Sequence, residues 1–141
     1  MDNSVHFFSE DTPFQLKEPD LHRQWIKNIV QSEGKIIETL NYIFCSDDYL
    51  LQINIEYLQH HTFTDIITFP YKEGKTIAGD IFISIDRITE NAQTYSSSFE
   101  QELLRVMAHG VLHLCGYGDK AEDEITKMRE KENAAISLFT P

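Results

Sequence analysis

Two histidines four residues apart, His109 and His113, are followed by Gly116 and then by Asp119. A four-residue step along an α-helix turns a side chain by only about 40°, so both rings project from one face. Gly116 stands where a helix stops and the chain turns back. Three residues further on, the carboxylate of Asp119 can reach the same point in space. Two imidazoles and one carboxylate, with the remaining positions open to water, are the donor set of a catalytic-type divalent metal site. A bare His-x-x-x-His pair is more often structural or solvated. The glycine stop and the third donor at fixed offset turn the reading towards a metal. Gly110 adds to it: mid-helix glycine costs about 1 kcal/mol relative to alanine, which implies a close backbone approach at that position.

The residue missing from this pattern restricts the chemistry. The spacing His, +4, Gly +7, ligand +10 is shared with metzincin proteases, whose helix reads H-E-x-x-H. Here Gly110 occupies the position of the catalytic glutamate. Without that carboxylate a zinc protease lacks the base that activates its water. Peptidase chemistry is a poor fit.

The flanking sequence must supply a frame for this helix. Ser98-x-x-Gln101 is a capping-box pattern that opens a helix running to Leu114. Upstream, Val5 to Phe8 reads as a strand, and Asp20 as the cap of a helix carrying Leu21, Trp25, Ile26, Ile29 and Val30 at helical spacing. From Ile36 to Phe44 one parity is apolar except for Glu38, which predicts a strand. Ser46 caps a second helix with Asp47 and Asp48 in its first turn. Its inward stripe is Leu50, Ile53, Asn54, Tyr57 and Leu58. Strands follow at Asp65 to Phe69, closed by Pro70, and at Ile77 to Ile85, joined by a turn at Lys72 to Lys75. A short helix from Asp86 to Thr94 precedes the histidine helix. Glu122 to Phe139 closes the chain as an amphipathic helix with Ile125, Met128, Ala135, Ile136 and Phe139 inward. The order β-α-β-α-β-β-α-α-α predicts an α+β fold, a small mixed sheet packed by about five helices.

Length and composition set further bounds. Residues 1–141 make one domain with room for one core. The net charge of −11 argues mildly against a general nucleic-acid binder, while leaving room for a local site. The N-terminus has no basic n-region, no apolar stretch approaches membrane-spanning length, and Cys45 and Cys115 read as buried free thiols. A cytoplasmic protein is expected.

His109-Gly-Val-Leu-His113-Leu-Cys-Gly116-Tyr117-Gly118-Asp119 resembles the signature H-G-x-L-H-L-x-G-Y-D-H of the YbeY family and matches seven of its nine specified positions. Asn54-Ile-Glu-Tyr57, Thr64-Asp-Ile-Ile-Thr-Phe-Pro70 and Gly79-Asp-Ile-Phe-Ile-Ser84 are similar to further family segments, in family order. The resemblance implies a metal-dependent endoribonuclease acting on single-stranded RNA in ribosomal RNA processing. It also implies RNA and the small ribosomal subunit or its proteins as partners. One zinc ion per chain, or another divalent ion, would be held by His109, His113 and Asp119. Two departures stand out. Asp119 replaces the family's third histidine, which lowers the site's net charge by one and favours harder ions. Leu58 replaces the arginine that usually follows Tyr57 and is thought to hold RNA phosphate.

Further candidates each carry a plainer reading. Asp80 is a candidate base or ligand-orienting carboxylate, or a strand-end group satisfied by backbone. Arg105, one turn before His109, or Arg87 would replace the missing phosphate-binding arginine; otherwise each is a paired surface arginine. Asp65 would orient a histidine ring or cap its strand. His60 and His61 read as an exposed polar loop, and Tyr117 as packing beneath the metal loop. A ribosome-associated maturation factor with a mainly structural metal is the alternative to the nuclease.

Overall fold

The computed structural model describes residues 4–59 and 62–139; the His60-His61 pair lies outside them. The strands are β1 (Val5–Glu10), β2 (Ile36–Cys45), β3 (Ile66–Lys72) and β4 (Thr76–Ser84). The helices are α1 (Pro19–Ser32), α2 (Asp47–Leu58), α3 (Ile85–Thr94), α4 (Phe99–Leu114) and α5 (Glu122–Ser137). The four strands form one mixed sheet in the order β1-β2-β4-β3. β1 and β2 run parallel, as do β2 and β4, and β3 closes the edge antiparallel to β4. The expected α+β fold and its element order are what the chain adopts.

Alternation along the strands divides the sheet into two faces. Leu40, Tyr42, Phe44, Ile77, Ile81 and Ile83 join α1, α4 and α5 in the larger core. Cys45 and Ile67, with Phe69 and Phe82, pack beneath Leu50 and Ile53 of α2 on the other face. Buried polar tips pin the helices in place. Tyr42 Oη donates to the Met107 carbonyl of α4 at 2.8 Å, and Trp25 Nε1 donates to the Ala135 carbonyl of α5 at 2.7 Å.

Several local expectations need correction. α1 begins with Pro19 at its first turn after Glu18 in a left-handed conformation, so Asp20 lies inside the helix rather than capping it. A register shift between Ile37 and Thr39 breaks the even parity of β2; Ile36 is therefore exposed and Glu38 points out towards Lys72. β3 runs through Pro70 instead of ending there, which an edge strand permits. Ile125 is 50% exposed, and the inward stripe of α5 is Met128, Glu132 and Ala135.

Candidate metal centre

α4 carries both histidines and is held unusually close to the sheet. A Cβ on Gly110 would stand 2.9 Å from Ile81 Cγ2 and 3.0 Å from Ile66 Cδ1. The close approach inferred from a mid-helix glycine is thus present. Gly79 of β4 reciprocates further along, where a Cβ would meet the Phe69 carbonyl at 2.7 Å and Leu114 at 3.3 Å. Ser98 opens α4 by accepting from the Gln101 backbone N–H at 3.1 Å. At the other end Gly116, with φ +110°, turns the chain back.

That turn controls the second histidine. His113 Nδ1 donates to the Tyr117 carbonyl at 2.7 Å, which leaves Nε2 as its available nitrogen. Tyr117 packs against the larger core and donates from Oη to Glu33 at 2.6 Å, tying the loop to the end of α1. Further along the loop, Glu124 accepts from the backbone N–H groups of Ala121 at 2.9 Å and Lys120 at 3.3 Å. Its carboxylate occupies the space that a side chain at Gly118 would fill.

His109 is gripped from both sides. Nδ1 lies 2.7 Å from Glu132 Oε2, and Nε2 lies 3.1 Å from Asp119 Oδ2. Burial works against a charged ring, but the Glu132 hydrogen bond and the Glu132, Asp119 and Asp65 charges raise its pKa overall. Whenever it is protonated at both nitrogens, the ring can donate to both carboxylates at once. For Glu132, burial alone would favour the neutral acid; the hydrogen bonds from His109 and Arg105 outweigh it and hold the carboxyl below its usual range.

His109, Asp119, Glu132, Arg105, Asp65 and Glu102 share a cleft of about 670 Å³. Arg105 Nη1 contacts Glu132 Oε1 at 3.0 Å, and Nη2 donates to Asn133 Oδ1 at 2.9 Å. Burial raises the pKa of Asp65, with His109 partly offsetting it; the Asp65 carboxylate accepts from Asn91 Nδ2 at 3.5 Å. Burial and repulsion from Asp65 raise Glu102 likewise.

Asp80 stands elsewhere. It has the opposite strand parity to Ile81 and faces the α2 side of the sheet, away from α4. There it accepts from Asn41 Nδ2 at 2.9 Å and from Tyr71 Oη. Arg87 is likewise remote in its bonding, with Nε 3.1 Å from both carboxylate oxygens of Asp47. Glu132 was missed in the sequence because a lone glutamate in an acidic helix carries no spacing signal. Its only trace is a position four residues after Met128 and three before Ala135, on the buried stripe.

Among the described residues, no three His, Cys, Asp or Glu side chains are already grouped to hold an ion. The donor chemistry nevertheless suits one. Two ligands at about 2.0–2.1 Å from a tetrahedral ion lie about 3.3–3.4 Å apart, close to the 3.1 Å between His109 Nε2 and Asp119 Oδ2. Each ring also has its Nδ1 tied to an acceptor, as ligating histidines almost always do.

The family model described as Endoribonuclease YbeY matches residues 7–140. The chain belongs to the YbeY family. The endoribonuclease YbeY of Cytophaga hutchinsonii is 51% identical over 138 residues, spanning 97% of this chain and 96% of that protein. The YbeY of Flavobacterium johnsoniae is 47% identical over 132 residues, 94% and 95% of the two chains. Among solved structures, that of TM1509 from Thermotoga maritima superposes with a TM-score of 0.66 at 28% identity, over 94% of this chain and 87% of that one. The family match and the α4 histidines therefore fall on one continuous domain. Among the described residues no helix is long and apolar enough to cross a membrane, and both cysteines are buried and free.

Proposed function

We propose that this YbeY-family chain is a metal-dependent endoribonuclease that cuts single-stranded RNA during ribosomal RNA processing in the cytoplasm. The observation that carries the metal part is the anchoring of both Nδ1 atoms, on Glu132 and on the Tyr117 carbonyl, with Asp119 facing His109 Nε2. His109, His113 and Asp119 would hold one zinc or a similar divalent ion. When bound, such an ion supplies Lewis-acid polarisation of a phosphoryl oxygen. The chain's own groups do the rest: Arg105 places positive charge on the cleft wall for phosphate, and the loop from Gly116 to Asp119 orients the third donor. The carboxyls lining this cleft that are available for proton exchange are Asp65 and Glu102, both weakened as acids by burial. Asp80 takes no part in this reading, since it faces the other side of the sheet.

The test is metal content per chain of tag-free wild type and Asp119→Ala, followed by cleavage of single-stranded RNA by wild type and His113→Ala. Near-stoichiometric zinc that is lost in Asp119→Ala, with cleavage lost in His113→Ala, is the expected result. Cleavage that survives in His113→Ala would end the assignment.

Leu58 in place of the family arginine, together with the net charge of −11, favours a second reading. In it the chain is a ribosome-associated maturation factor with a mainly structural metal. Small-subunit association and normal RNA processing by a folded, metal-free variant would decide for it.

A further inference from the structure

One buried carboxylate joins two side chains of α4 that lie a turn apart. Glu132, on α5, is 4% exposed. Its Oε2 accepts from His109 Nδ1 at 2.7 Å and its Oε1 from Arg105 Nη1 at 3.0 Å. Arg129 Nη1 stands 3.6 Å from the same Oε1, from a largely exposed side chain. An ionised carboxylate at this depth is tolerated only when it is paired and hydrogen-bonded. An ion pair with Arg105 alone would satisfy that need. The second oxygen instead holds an imidazole, whose far nitrogen faces Asp119.

The two nitrogens of an imidazole are not equivalent once one is held. With Nδ1–H donating to a fixed acceptor, the ring cannot flip, and Nε2 becomes the atom presented to the cleft. The carboxylate also raises the basicity of the ring as a ligand.

We propose that Glu132 is the positioning residue of the site. It sets the ring plane and the Nδ1–H tautomer of His109, and with its other oxygen it fixes Arg105 on the wall of the same cleft. Metal ligand and phosphate-facing cation thereby share one anchor. This proposal rests on the metal reading above, and its test separates the two.

Wild type, Glu132→Gln and Glu132→Ala are loaded with zinc and titrated with a chromophoric zinc chelator. In parallel, ¹⁵N NMR of the histidine ring nitrogens is recorded with and without zinc, and thermal unfolding is followed by circular dichroism. Zinc affinity is expected to fall about 10–100-fold in Glu132→Ala. Glu132→Gln is expected to recover most of it, because the amide oxygen still accepts from Nδ1–H. The His109 ring signals are expected to show the Nδ1–H tautomer in zinc-loaded wild type and a tautomer mixture in Glu132→Ala. In Glu132→Ala, a lower unfolding temperature with wild-type zinc affinity and wild-type His109 signals would overturn the proposal. Should Glu132→Ala fail to fold, Glu132→Met fills the same volume without an acceptor and carries the same comparison against wild type. Wild type that takes up no zinc sinks the metal reading alone. The metal-free ring spectra then decide: His109 signals that move in Glu132→Ala or Glu132→Met support the anchor, and unmoved signals overturn it.

Discussion

The ring of His113 and the backbone carbonyl of Tyr117 are bonded at 2.7 Å across the turn that ends α4. The bond exists because Gly116 takes φ +110°, a conformation that side chains rarely adopt. Gly116→Ala is therefore expected to cost about 1–3 kcal/mol in urea unfolding. It should also weaken zinc binding by more than a remote destabilising variant of equal cost. Equal zinc affinity in the two variants would show that the turn does not set the ring.

Gly110→Ala tests the packing of α4. The substitution raises helix propensity by about 1 kcal/mol, yet its methyl would stand 2.9 Å from Ile81 Cγ2. Ile81 is β-branched and fully buried, so it has little freedom to give way. Overpacking typically costs about 1–3 kcal/mol, and a net loss of about 1 kcal/mol is expected in equilibrium unfolding. A stabilised variant would mean that the helix can lift from the sheet at no cost.

The raised pKa of His109 gives the metal-free protein a pH dependence of known sign. A ring that holds its proton more tightly when folded contributes stability that is complete below its unfolded pKa of about 6.5. That contribution is lost as pH rises through the higher folded value. Buried His22, with its pKa lowered by desolvation, works in the opposite direction near neutrality. The difference between wild type and His109→Gln isolates the effect. Wild type should lose stability relative to the variant as pH climbs above about 6.5. A difference that is flat with pH would contradict the charged bridge between Glu132 and Asp119.

Leu58 is 43% exposed at the end of α2, so Leu58→Arg should fold normally. If that position meets phosphate, binding of single-stranded RNA is expected to tighten. Its log–log salt slope would steepen by about 0.7 for one added phosphate contact. An unchanged slope would place RNA elsewhere on the surface.

Local signals in the sequence are strongest where one residue acts on its own neighbours. Ser46, Ser98 and Gly116 mark helix ends that the fold uses, and His109 and His113 share a helix face as their spacing requires. Alternation in β4 already separates Asp80 from Ile81, and the carboxylate accordingly faces away from α4. Glu132 depends on how α5 lies across α4, a relationship between elements that no local pattern encodes. The shift at Ile37 and Thr39 is equally non-local, because register is decided by the partner strand.

The reciprocal glycines, Gly110 against Ile81 and Gly79 against Leu114, seat α4 closely on the sheet at two points. The histidine scaffold is therefore organised before any ligand arrives, and little ordering entropy remains to oppose binding there. Backbone amides of α4 should exchange slowly with solvent deuterium whether or not zinc is added. Any ligand-dependent protection should fall instead on the loop from Gly116 to Ala121, which carries Asp119 and lies outside the helical hydrogen-bond ladder.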